Sequence, residues 1–406
     1  MSDEKSSLSL SARIQSVSPS VTLAVDAKAK QLKASGVDII GFGAGEPDFP
    51  TPAPIVEAAV EAARDPKNHR YTPTAGLPEL REAVAAKTLR DSGYAVNPAQ
   101  VVITNGGKQA VFESFQVLLD PGDEVILPTP FWISYSEAVK LAGGTPVPVF
   151  AGPDKNFIPT IEDLEAARTS HTKIVVLNSP TNPTGAVWSQ DQVRALGEWA
   201  LEHNLWVIAD EIYEHITYDG VTTAHIGAVV PALRDRLIVL NGVAKSYAMT
   251  GWRVGWLIAP EYVAKAASKL QGHLTSNVSN VPQRAAIAAL RGPLTAVAEM
   301  REAFDRRRHI IVDALNAVPG VSCNMPQGAF YALADVRALL NRPVGSQGFI
   351  FTSSTELAAG LLEQAHVAAV PGEAFGAAGY LRFSYATADD AIVEGMRRFH
   401  EWVAAN

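Results

Sequence analysis

A chain of 406 residues, 47% hydrophobic and 19% charged, is too long for one ordinary compact core, so two domains sharing a cleft are expected. The formal net charge of −8 argues against a nucleic-acid partner, whose phosphates need a cationic face. The single cysteine, Cys323, rules out an intrachain disulfide, argues against a structural zinc site and fits a reducing cytoplasm, and no apolar run reaches membrane-spanning length.

The opening MSDEKSSLSLSA is polar, lacks the apolar core of a secretory signal and reads as a frayed terminus. Gly41, Gly43 and Gly45 follow the strand-like VDII. Their G-x-G-x-G spacing runs into Glu46-Pro47-Asp48-Phe49-Pro50, which cannot open a helix, so a dinucleotide loop is not expected. VVIT (101–104) reads as a strand, followed by a helical pattern from Gln109 to Leu119 with apolar residues at spacings of three and four. Pro121-Gly122-Asp123 breaks it, and VILP follows. IVVLN (174–178), LWVIAD (205–210) and LIVLN (237–241) are short and apolar on both faces, with a helix near 189–203. Such strands predict a mainly parallel sheet covered by helices, a three-layer α/β/α domain. A helical pattern from about Pro293 to Leu315, carrying Arg306, Arg307 and Arg308, leads out of it. AFYALADV, HVAAVP and LRFSYA then predict strands, and the stretches near 355–365 and 388–404 predict helices, a smaller α+β domain. The segment before Pro52 is compatible with packing on either.

The histidines show no metal-ligand spacing, GVAKS (242–246) lacks the glycines of a P-loop, and there is no G-x-S-x-G elbow. The informative stretch is LNGVAKSYAMTGWRVG (240–255). A lysine just past a strand end, Lys245, can lie inside a cleft, where desolvation lowers its pKa and makes it a better nucleophile toward an aldehyde. Arg253 offers a guanidinium fork suited to a phosphate. Asp210, ending LWVIAD, would point into the crevice at the carboxyl edge of a parallel sheet and could keep a pyridine nitrogen protonated. Alone it could equally be a helix N-cap, and Tyr213 could be packing. SPTNPTG (179–185) presents Asn182 in a turn that needs no function to explain it. The loop TNGGK (104–108) offers backbone N–H groups and a helix start to an anion, with Lys108 adding charge. Trp132 in PTPFWISY could stack on a flat ring, although such residues are more often core.

Together with AGEPDFPTP (44–52), YTPTAGLPELREA (71–83), GGKQA (106–110), DEIYEH (210–215) and LRFSYA (381–386), in this order, these motifs resemble the class I aminotransferases of the aspartate aminotransferase family, from about Ser11 to Trp402. The resemblance implies the fold type I architecture: a large cofactor-binding domain over 49–305, and a small domain made of 1–48 and 306–406. It implies pyridoxal 5′-phosphate bound through Lys245, which would also shuttle the substrate proton. Asp210 would partner the pyridine nitrogen, Asn182 and Tyr213 the ring oxygen, Arg253 with Gly106 and Gly107 the phosphate, and Trp132 the ring face. Arg382 would grip the substrate α-carboxylate, assisted by Asn182 and Gly45. Tyr71 would reach the phosphate of a neighbouring subunit, implying a homodimer. The family's best-known members carry Ser where Gly242 stands. GGK points to a prokaryotic subgroup in which Lys108 faces a distal carboxylate, and in some of whose members the position of Thr22 reads prephenate. The implied reaction is transamination between L-aspartate and 2-oxoglutarate, giving oxaloacetate and L-glutamate; the partners are amino acids and 2-oxo acids. Transamination of aromatic or neutral amino acids and a β-lyase are the alternatives. The Asn182-Pro183 and Thr129-Pro130 bonds are expected to be cis.

Overall fold

A computed structural model describes residues 10–19 and 21–405, with the side chains of Thr22, Leu23 and Asp26 outside the described residues. Its centre is a seven-stranded sheet in the order Val101–Thr104, Gly255–Ile258, Leu237–Gly242, Trp206–Asp210, Thr172–Asn178, Glu124–Thr129 and Thr145–Phe150. Gly255–Ile258 runs antiparallel to both its neighbours and the remaining pairs are parallel. Strand residues alternate between two apolar clusters. Val102, Ile174, Val176, Ile208 and Ile238 face one side, whereas Val101, Val175, Leu177, Val207 and Val239 face the other. Burial on both faces explains why these strands carry no polar alternation. Helices Gly107–Leu118 and Glu261–Leu274 cover the first face, and Pro78–Ser92, Gln190–Glu202 and Asn280–Arg291 the second.

The parallel register brings functional strand ends to one edge. Asn178 lies opposite Asp210, and Asp210 opposite Leu240, so the segments that leave these strands open into the same crevice. The bonds Thr129-Pro130 and Asn182-Pro183 are cis, as expected, and so is Ser179-Pro180.

A second core gathers residues from the helix Thr295–Ala317 onward around the antiparallel order Val370–Pro371, Tyr380–Ser384, Tyr331–Asp335 and Ser322–Cys323. Helices Ser354–Ala365 and Asp389–Ala404 pack on it. HVAAVP is two strands. Val367–Ala368 pairs in parallel with Ile40–Gly41, while Val370–Pro371 joins Tyr380–Ser384. Phe42 N–H then donates to the Ala368 carbonyl and the Ser384 N–H to that of Phe42. Ala29 and Ile39 pack on Leu362 and Ala368. From Ala29 to Phe42 the segment before Pro52, which sequence pattern leaves open, is thus stitched to the C-terminal part of the chain, while ahead of it the Ser18 N–H donates to Glu137 Oε2 on the helix Ser134–Leu141 at 2.9 Å. No helix among the described residues is long and apolar enough to cross a membrane.

Candidate active site

At the carboxyl edge of the sheet lies a cavity of about 490 Å³. Its wall includes Asp210, Lys245, Tyr213, Asn182, Arg382, Trp132, Lys108, Gly107, Gly45 and Arg253, so residues spread over more than three hundred positions of sequence meet in one place.

Asp210 is 6% exposed. Burial drives its pKa up to about 6, against the opposing effects of the Tyr135 hydroxyl, which donates to Oδ2 at 2.7 Å, and the Ile212 N–H, which donates to Oδ1 at 3.2 Å. Tyr135 also packs edge-on against Trp132, with ring centroids 5.4 Å apart. Lys245 follows the strand Leu237–Gly242, and its ammonium donates to the Gly45 carbonyl. Desolvation pulls its pKa down to about 8, assisted by Arg382 and Arg253 and opposed by Glu46 and Asp210. Glu46 is itself held by the Thr250 hydroxyl at 2.7 Å.

One end of the cavity is built for an anion. Gly106 precedes the twelve-residue helix Gly107–Leu118 with φ +79°, and a Cβ there would lie 2.5 Å from Arg253 Nη2. Only glycine allows the guanidinium to lie against the helix start, where free N–H groups and the dipole favour negative charge. The same economy of space explains Gly242. A Cβ on it would sit 3.0 Å from both Gly255 Cα and the Val254 carbonyl, so the serine of the resembling family would crowd this backbone.

The other end carries Arg382, 2% exposed. Its Nη1 donates to Asn182 Oδ1 at 3.1 Å and Nη2 to the Gly43 carbonyl at 2.8 Å, while Nε is buried without a partner. A buried donor with nothing to bind is costly, and a ligand carboxylate would satisfy it. The Lys108 ammonium lies 5.2 Å from the Trp132 ring centroid. Partial desolvation, followed by the charge of Arg253, lowers its pKa although the residue is still exposed.

Two candidates stand apart. Tyr71 is 89% exposed and does not line this cavity. Thr22 lies on the helix Val21–Ala34, but its side chain is outside the described residues. Gly106 sits just behind the wall, against Arg253. Sequence reasoning missed Tyr135, Tyr331, Glu46, Thr250 and Lys30, all in the wall. Tyr135 sits three residues after Trp132, and Glu46 inside AGEPD, but nothing in an aromatic run or a turn announces a partner for Asp210 or Lys245.

A doubly covered, mainly parallel sheet with a lysine, a buried carboxylate and an anion-binding helix start at its carboxyl edge defines the class. The chain belongs to the class I and II aminotransferases, whose family model matches residues 37–398. It is 59% identical to an aspartate aminotransferase of Streptomyces avermitilis, over 97% of this chain and 96% of that one. It is 43% identical to an aspartate/prephenate aminotransferase of Cereibacter sphaeroides, over 97% and 98%. The aspartate aminotransferase of Thermus thermophilus with maleate superposes with a TM-score of 0.90 at 41% identity, covering 97% of this chain and 99% of that chain.

Proposed function

We propose that this chain is a pyridoxal-phosphate-dependent transaminase that converts L-aspartate and 2-oxoglutarate to oxaloacetate and L-glutamate, working as a homodimer. The observation that carries the reading is one cavity with a depressed-pKa lysine beside a buried carboxylate, an anion site at one end and an unsatisfied buried arginine at the other. The aspartate aminotransferases among its relatives support the reaction, and maleate, held by the Thermus enzyme, is a dicarboxylate. Within this reading, residues 49–305 form the large domain, and 1–48 with 306–406 the small one.

The residues fit the cofactor. Asp210 suits a protonated pyridine nitrogen, Trp132 the ring face, Asn182 and Tyr213 the ring oxygen, and Arg253 with the Gly106–Gly107 backbone the phosphate. Bound there, pyridoxal phosphate supplies an aldehyde for the amino group and an electron sink for the bond broken at the substrate α-carbon. The chain supplies the rest. Arg382 and Asn182 would fix the α-carboxylate, Lys108 would meet the distal carboxylate, and the Asp210 carboxylate would keep the pyridine nitrogen protonated. Lys245, with its pKa near neutrality, takes the proton from the α-carbon and returns it on the other side of the exchange.

Borohydride reduction of the holoenzyme followed by peptide mapping should place a pyridoxyl group on Lys245, and a label on another lysine would overturn the assignment. An amino-donor screen with 2-oxoglutarate tests the substrates, and running it in reverse from glutamate with prephenate tests the second acceptor named for the Cereibacter relative.

A further inference from the structure

Tyr331 stands in the cavity wall, in contact with both Arg382 and Tyr213. It is 1% exposed, and its hydroxyl lies 2.9 Å from that of Tyr213. The Arg382 guanidinium sits 4.4 Å from the Tyr331 ring centroid and 5.0 Å from that of Phe375. The strand register accounts for the first contact. Tyr331 pairs with Ser384 across antiparallel strands, so Arg382, two residues along, is its diagonal neighbour on the same face. A Cβ on Gly45 would lie 3.4 Å from the same hydroxyl, which therefore also borders the loop that meets Lys245.

We propose that Tyr331 is a positioning residue that couples the carboxylate grip to the ring-oxygen donor: its ring holds Arg382 in the orientation that receives the substrate α-carboxylate, and its hydroxyl donates to Tyr213 and strengthens Tyr213 as a donor to the cofactor ring oxygen. The proposal rests on the reading of the cavity as a pyridoxal-phosphate site. In the free pair either hydroxyl can donate. Once the Tyr213 proton is turned toward a ligand oxygen, only Tyr331 can supply the bond between them, and a hydroxyl that accepts a bond becomes a stronger donor.

Burial raises the pKa of both hydroxyls, well above the ordinary value for Tyr213, so both remain protonated across the neutral range. The charged groups facing the pair are Arg382 from the strand Tyr380–Ser384, Asp210 from Trp206–Asp210, Lys245 beyond Leu237–Gly242 and Glu46 in the loop after Gly45. All four are retained when Tyr331 alone is changed. With the cofactor bound, a strong donor at the ring oxygen would draw negative charge from it and make Lys245 Nζ, joined to the cofactor, a weaker base. Loss of the Tyr331 hydroxyl should therefore raise the pKa of that nitrogen.

The test is an absorbance titration of the bound cofactor in the holoenzyme, with KM for aspartate measured in parallel. Tyr331→Phe keeps the ring beneath Arg382 and should raise the titration midpoint by about half a unit, the scale of one weakened hydrogen bond, with KM nearly unchanged. Tyr331→Leu should show the same shift and a KM raised about fivefold, as a lost cation–π contact predicts. A wild-type midpoint in Tyr331→Phe overturns the hydroxyl coupling; a wild-type KM in Tyr331→Leu overturns the role of the ring. A residue that merely fills space would move neither readout in the phenylalanine variant, which remains decisive if the leucine variant does not fold. Absence of any cofactor absorbance in the parent protein that borohydride abolishes would overturn the pyridoxal-phosphate reading, whereas a cofactor band that does not titrate would overturn this proposal alone.

Discussion

Lys108 is the residue at which electrostatics and geometry point in different directions. It stands at the start of a helix, where a phosphate would attract it, yet its ammonium lies over the Trp132 ring while Arg253 takes the place beside Gly106. A charged hydrogen bond to a distal carboxylate is worth roughly 1.5–3 kcal/mol, or about 10- to 150-fold, and the exposure of Lys108 places it toward the lower end. Lys108→Met should lower kcat/KM for aspartate and glutamate by about that factor while leaving alanine and phenylalanine nearly unaffected. Equal loss on all substrates together with weaker cofactor binding would make Lys108 a phosphate ligand. A place in the cavity was legible in the sequence wherever a residue sat in a motif that constrains its neighbours, as Lys245, Asp210 and Asn182 do. Tyr135 and Tyr331 were not legible, because an aromatic in an apolar run looks the same whether its hydroxyl meets a carboxylate, another hydroxyl or nothing.

At the scale of elements, short strands and the turns after them were readable because burial on both faces leaves a run of apolar residues with a sharp end. The helix Pro78–Ser92 was harder, since its buried residues include Lys87 and Thr88 and blur the apolar stripe. The reason lies across the fold. The Lys87 ammonium meets Glu214, which also accepts from Asn241 Nδ2 at 2.6 Å; Asp91 Oδ2 lies 3.4 Å from Lys87 and 3.2 Å from His215 Nε2. This buried cluster ties the helix to the segment after Asp210 and to the end of the strand that leads to Lys245. Burial alone would raise the pKa of Glu214, but Lys87 with His215 and His225 more than reverses this, so it lies below the ordinary carboxylate value. A carboxylate with a depressed folded pKa stabilises the fold above its unfolded pKa, and that stabilisation fades as pH falls through the folded value. Removing the lysine leaves the buried carboxylate with only Asn241 and the two histidines, at a cost up to the roughly 3–5 kcal/mol of a broken buried pair. Lys87→Met should thus unfold at clearly lower denaturant concentration than the parent at neutral pH, and the gap should narrow as pH falls toward about 4, because Glu214, its pKa raised by burial once the lysine is gone, is already protonated in the variant there. An equal gap at both pH values would show that packing of the lysine stem, not its charge, holds the cluster.

For the whole molecule, the outstanding feature is a tyrosine presented to solvent on a backbone that is anything but loose. Tyr71 is 89% exposed, yet Asn280 Nδ2 donates to the carbonyls of Asn68 and Arg70, and the Thr72 hydroxyl donates to Asn280 Oδ1. Fixing this stretch so firmly while leaving the ring uncovered makes sense if a second copy of the chain receives it, which is the arrangement proposed above. The partner's cavity would then contain Tyr71, and each site would need both chains. Tyr71→Phe and Lys245→Ala each damage activity as homodimers under this arrangement. Unfolded together and refolded, the two variants would form hybrids in which one site carries both lesions and the other neither. Activity well above that of either variant alone is the expected result, growing with the hybrid fraction separated by a tag on one chain. If Tyr71 instead served the cavity of its own chain, every site in the hybrid would lack either the tyrosine or the lysine, and no recovery could occur.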